Sequence, residues 1–348
     1  MAYSSIAKPT DYFNTVLWTG NATDGRAITG VGFQPDWVWI KNRDTASNHS
    51  EYDVIRTATK RLRPNLTNAE DTKSNGLQSF DSDGFTVGDS TVENNSGDGI
   101  VAWNWLAANG TASNGDGSIT STVSANTTAG FSIVSYTGTG SSTTVGHGLG
   151  VAPSMLIFKN RDSTDSWNVQ HDGLTSYDYY VRLNSTGAQN NDIDVGNSAP
   201  TSTVVSVGSH AQQNGSGNDM ILYAFAEKKG YSKISSYTGN GNADGPFVYT
   251  GFKPAWIMLK KSNASGTSWI LFDNKRATHN PTYNRLHAEL SDAEYTTAYG
   301  LDMLSNGFKL ITSDSSFNNS GDTYIYLAFA EHPFVGNDSG TAVPVVAR

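Results

Sequence analysis

The chain has no cysteine among its 348 residues, so neither a disulfide framework nor a thiolate metal site is open to it. It is short of positive charge, with 23 Lys and Arg against 32 Asp and Glu, a net charge of -9. That balance speaks against a nucleic-acid partner, because phosphate binding draws on a Lys/Arg excess. The small cluster of Lys60, Arg61 and Arg63 reads as a solvated face. No run of 18 apolar residues occurs, so no membrane insertion is expected. The opening MAYSSIAKPTDYF lacks the basic-then-apolar order of a secretory signal, and synthesis in the cytoplasm without a signal peptide is the expectation. Helical spacing is scarce as well, the best candidate being a single turn in SDAEYTTAYG from Ser291.

What the chain does have is Gly at 35 residues, abundant Asn, Ser and Thr, and aromatics at 11%. Disordered segments lack aromatics; this mixture is strand-and-turn material. Three anchors recur in order. An aromatic-Thr-Gly turn appears as Trp18-Thr19-Gly20, Tyr136-Thr137-Gly138 and Tyr237-Thr238-Gly239. A proline follows 17 residues after the aromatic each time, at Pro35, Pro153 and Pro254, and opens QPDWVWIKNR, APSMLIFKNR and KPAWIMLKKS. Gly97, Gly217 and Gly321 then lead into GDGIVAWNWLA, GNDMILYAFAE and GDTYIYLAFAE, at 62, 64 and 67 residues after the proline. Between the last two anchors, Asp53, Asp172 and Asp273 align, as do Phe85, Val205 and Phe308.

The repeat is about 100 residues long, the size of a small domain. Short alternating or apolar runs bounded by Gly, Asn, Asp and Ser read as strands. The expectation is therefore an all-β protein of three tandem homologous β-sandwich domains, jelly-roll- or lectin-like in form. The boundaries are an arm at 1–11, repeats at 12–108, 130–229 and 230–334, and a tail at 335–348. The Gly/Ser/Thr/Asn-rich stretch 109–129 is either a flexible linker or a polar edge hairpin.

Catalytic and metal motifs are weak. Sequons at Asn21, Asn48, Asn65 and Asn184 follow from composition. DSDGF at Asp81 and NGDGS at Asn114 do not complete a calcium loop and read as turns. GHGLG (146–150) lacks the Lys-Ser/Thr of a phosphate loop, and the seven histidines are scattered. Asp53, Asp172 and Asp273 give one carboxylate per repeat, not the converging pair that a hydrolase needs, and Glu227 and Glu331 match only Ala107 in the first repeat. No catalytic residue, metal or cofactor is assigned.

The aromatics remain. Trp37 and Trp256 align with Met155, a swap that keeps bulk and loses a ring face, so these three and the prolines Pro35, Pro153 and Pro254 read as repeat core rather than stacking platform. Trp103 and Trp105 share one face by alternation. Ligand candidates sit where the repeats disagree: Tyr177, Tyr179 and Tyr180 in SYDYY, and His279 and Tyr283 in HNPTY.

YTGNG…DGPFVYTGFKPAWIMLKK, LSNGFKL, YIYLAFAEHPF and the first-repeat KPTDYFNTVLWTG…GVGFQPDWVWIKNRD together resemble repeats in uncharacterised, tail-fibre-like structural proteins of tailed bacteriophages, notably phages of marine bacteria. The resemblance covers nearly the whole chain and implies a concanavalin-like β-sandwich for the repeats. It implies a surface-exposed virion protein made in the host cytoplasm, with other virion proteins as partners and no catalytic residues to carry over. The expected role is that of a non-enzymatic tail-fibre or adhesion subunit, a homo-oligomer with a trimer favoured, that recognises host surface glycan. The alternatives are a capsid decoration protein clamping shell subunits and, third, a glycan depolymerase.

Overall fold

In the computed structural model of the chain, residues 4, 6–297 and 299–333 are described; the tail expected at 335–348 lies outside them, as do residues 1–3 and 5 of the arm. Over the described residues the protein is all-β and antiparallel, and its helical content is three short turns at Pro9–Asp11, Ala211–Asn214 and Ser315–Asn318. The helical turn expected from Ser291 is not among them. There the backbone is extended enough for Tyr295 to bridge to Arg285, in keeping with the low helix propensity of its Thr and Tyr residues.

The sheets fall into three sets along the chain. In the first, a large sheet has the order Phe13–Thr19, Gly99–Trp105, Trp37–Asn42, Ser50–Asp53, and a small one the order Arg26–Thr29, Gly84–Val87, Leu77–Asp81. The second repeats this order as Phe131–Thr137, Asp219–Phe225, Met155–Asn160, Asn168–His171, opposite Thr143–Gly146 and Val204–Val207. The third has Ser232–Thr238, Thr323–Pro333, Phe252–Lys261, Ile270–Asp273, opposite Phe247–Tyr249, Gly307–Leu310 and Leu301–Leu304. Of the two readings of 109–129, the hairpin is what forms: Ala112–Asn114 and Ser121–Asn126 extend the edge of the second large sheet.

The anchors have a shared structural cause. Gly20, Gly138 and Gly239 each exchange backbone hydrogen bonds with the turn that precedes the last strand, Gly20 N–H to Asp98 O and Gly97 N–H to Gly20 O, with the same pairs at Gly138/Gly217 and Gly239/Gly321. A Cβ on any of the three would run into the backbone of Asn95, Gly215 or Asn319, so the close approach demands glycine. Gly97, Gly217 and Gly321 take φ of 89°, 74° and 80°. Each clasp is locked by a buried asparagine: Asn94, Asn214 and Asn318 each donate to two carbonyls and accept from the N–H of the residue one beyond the Thr-Gly glycine. These three also begin Asn-x-Ser sequons, and their function is that of a staple.

Four cores result. Within each set the small and large sheets enclose their own, around Val38, Ile40 and Phe85 in the first, Leu156, Phe158 and Val205 in the second, and Ile257, Leu259 and Phe308 in the third. The fourth is the largest and is common to all three sets, built from the opposite faces of the large sheets. It is layered. Register puts Trp37, Met155 and Trp256 opposite Trp105, Phe225 and Phe329, and puts Trp39, Ile157 and Met258 opposite Trp103, Tyr223 and Leu327. Lys41, Lys159 and Lys260 follow on the same face. The proline-led strands are thus covered on both sides, which is why they read as unbroken apolar runs. Their tryptophans fill the shared core, not the cores between the large and small sheets. Pro254 sits at a bulge in its strand, where a missing N–H is tolerated.

Candidate functional site

The acidic residues singled out from the sequence are at the joints of the shared core. Trp37 pairs with Asp53 and Trp256 with Asp273, but Met155 pairs with His171. The counterpart in the second repeat is therefore His171, and Asp172 lies one residue beyond. Asp53 binds Arg56 and accepts from Tyr223 OH of the second repeat at 2.7 Å. Asp273 binds Arg276 and accepts from Trp103 Nε1 of the first repeat at 2.9 Å. Arg56 continues to Glu70, which takes Arg161 of the second repeat; Arg276 continues to Glu294, which takes Arg43 of the first. At the third joint all five positions are neutral or can be: His171, Leu174, Gln189, Ser262 and Leu327, with Gln189 N–H to Ser262 O at 2.7 Å and His171 Nε2–H to Tyr326 O at 3.1 Å.

A second ring of contacts closes the same joints. Trp167 Nε1 donates to Arg63 O and Leu66 O of the first repeat, Trp269 Nε1 to Arg182 O of the second, and His49 Nε2 to His287 O and Leu290 O of the third. His49 Nδ1 accepts from Trp39 Nε1 at 2.8 Å, so its proton is on Nε2. Burial holds His49 well below the ordinary histidine range and takes His171 to about 4. Burial likewise lowers the Lys41, Lys159 and Lys260 amines to about 8, while each donates to backbone carbonyls. These histidines and lysines are buried and engaged with backbone carbonyls.

The loop residues are scattered. Tyr177 OH bonds Asp172 and is half-buried; Tyr179 packs against the shared core; His279 is exposed beside Thr278; Tyr283 is half-buried against Gly300. Tyr180 is 1% exposed, with its hydroxyl accepting from Arg182 and Asn190, so no ligand reaches its ring face. The structure does not bring these five together.

It does gather a cluster that the sequence reading passed over. A hollow of about 130 Å³ in the third repeat is lined by Ser268, Ile270, Arg285, His287, Tyr299, Asp314, Ser316 and Phe317. Arg285 Nη1 donates to Thr297 O and Tyr299 O, and its guanidinium carbon stands 5.0 Å and 5.8 Å from the ring centres of Tyr295 and Tyr299. His287 stacks on Tyr295 at 4.8 Å. Both tyrosines are exposed, at 36% and 42%, in a protein that buries most of its rings. Their signal was in the sequence, since EYTTAY adds two tyrosines to a segment the other repeats fill with Asp71 and Asn190.

Comparison with known proteins places the chain in a family. The family described as Domain of unknown function (DUF7483) matches residues 8–333. The chain belongs to this family. No curated protein matches it. The matched span takes in all three sheet sets and both charged joints of this chain.

Proposed function

We propose that the protein is a non-catalytic structural component of a tailed-phage virion, a tail-fibre or adhesion subunit that recognises glycan on the host surface. The virion assignment rests on the resemblance of the repeats. We read each sheet set as a concanavalin- or jelly-roll-like sandwich, and the three together as a rigid platform. The observation that carries recognition is the pair of exposed rings, Tyr295 and Tyr299, around Arg285 at the rim of a polar hollow. Flat rings beside hydrogen-bonding groups suit the C–H faces and hydroxyls of sugars. The buried Asp53 and Asp273 are consistent with a structural part, being committed to Arg56, Arg276 and the joints.

A second reading, capsid decoration, is favoured by Phe247 and Tyr249, which expose 45% and 53% of their surface on one edge strand of the third repeat. Cryo-electron microscopy of the particle tests both. Density for this fold at the tail tip, as a trimer, is the expected result; density spread evenly over the shell selects decoration and overturns the fibre assignment.

A further inference from the structure

The three repeats place different chemistry at one position, and the third gives its arginine carbonyl and ring partners in place of an ion pair. Arg61, Tyr180 and Arg285 occupy equivalent strand positions, opposite Asp71, Asn190 and Tyr295. In the first repeat, Arg61 is closed by a two-pronged ion pair, Nε to one Asp71 oxygen at 3.0 Å and Nη2 to the other at 2.7 Å. In the second, Tyr180 fills the place, bonded to Asn190 and lying 6.2 Å from the His210 ring. In the third, the carboxylate has become Tyr295, whose ring covers a guanidinium face and leaves its edge without an acidic partner. Among the described residues no carboxylate forms an ion pair with Arg285. His287 Nδ1, in the same hollow, is buried without a hydrogen-bond partner.

We propose that Arg285, Tyr295, Tyr299 and His287 form the binding site for a sugar unit that carries a carboxylate, such as a hexuronate in a surface polysaccharide. Arg285 stands where Arg61 stands in the first repeat, and a ligand carboxylate takes the place that Asp71 fills there, completing the fork. The exposed Tyr299 ring receives the apolar face of the sugar. Asp314, Ser268 and Ser316 line the hollow and meet hydroxyls; the Asp314 carboxylate also receives Ser316 N–H at 2.8 Å. This rests on the glycan-recognition reading and names the class of glycan.

The test titrates the full chain with a set of methyl hexuronides of differing stereochemistry and with the matching neutral methyl hexosides, reading the tyrosine ring resonances by NMR. At least one hexuronide is expected to shift Tyr295 and Tyr299, with the neutral sugar about tenfold weaker or worse. Arg285→Gln abolishes the shift, and Tyr299→Leu, which removes the exposed ring beside Arg285, weakens it; unchanged near-ultraviolet circular dichroism confirms that both variants are folded. Hexuronides that shift no tyrosine, or that bind Arg285→Gln equally, overturn the proposal. Adsorption of labelled protein to host cells separates the two readings. Wild-type and Arg285→Gln adsorbing alike sinks this site and keeps adhesion; hexuronide binding without adsorption keeps the site and sinks adhesion.

Discussion

Glu51 puts a carboxyl in the shared core where the sister repeats have Val169 and Leu271. It is fully buried and neither oxygen has a hydrogen-bond partner; the Trp37 indole lies near enough to ease its burial without completing a bond. Burial pushes its pKa well above the ordinary 4.5, Asp53 adds to this, and Arg56 opposes it. An acid whose folded pKa is raised favours the fold fully below 4.5 and loses that contribution as pH climbs toward the folded value. Glu51→Gln has no such slope. Its melting temperature is expected to match wild type near pH 4 and exceed it by a few degrees at pH 8, in parallel thermal scans. Equal pH slopes would show that Glu51 is ionised in the fold. At Asp53 the expectation reverses. Asp53→Asn leaves the buried Arg56 short of its counter-charge and is expected to lose about 3–5 kcal/mol in urea unfolding. The double change Asp53→Leu/Arg56→Met is expected to recover most of that loss, as the neutral His171–Leu174 version in the second repeat suggests.

Among elements, the clasp between the Thr-Gly turn and the Asn-x-Ser-Gly turn recurs most faithfully, and it ties the first strand of each repeat to the loop before its last. Asn214→Ala removes donors from Ser141 O and Gly208 O and an acceptor from Thr139 N. Buried groups left without partners cost about 1–3 kcal/mol each, so a loss near the upper end of that range is expected, read as a shift in urea midpoint. A loss under about half a kcal/mol, typical of surface sites, would show that water replaces the amide. The glycines of this clasp and the proline strands were legible in the sequence because backbone demands leave few residue choices. The asparagine was obscured by the many other asparagines around it. Asp172 was aligned with Asp53 and Asp273 for a simpler reason: it adjoins His171, the true counterpart, and a one-residue slip is invisible until strand pairing sets the register.

For the molecule as a whole, the shared core makes the repeats one thermodynamic unit. Trp37 meets Phe131 and Tyr223 of the second repeat, and Trp256 meets Phe13 and Trp105 of the first; each repeat alone would expose the indole-bearing face of its large sheet. A single calorimetric transition is expected, with equal van't Hoff and calorimetric enthalpies. A fragment ending at residue 229 is expected to aggregate or unfold, because it uncovers Phe13, Trp103 and Trp105. Two or three separate transitions, or a folded fragment, would show independent domains.

The sequence by itself determined that the chain is all-β, that it carries three copies of one pattern, and which glycines, prolines and tryptophans the pattern requires. Those follow from local rules: strand period, turn conformation and burial of large apolar side chains. Tertiary structure alone decided which of two cores each tryptophan enters, since alternation separates the faces of a strand but does not say what covers them. It also decided that Asp53 and Asp273 fasten one repeat to the next, and that Arg285 lacks the carboxylate that Arg61 has. Both facts depend on which residue stands opposite across a strand pair or a joint, and that partner is set by folding.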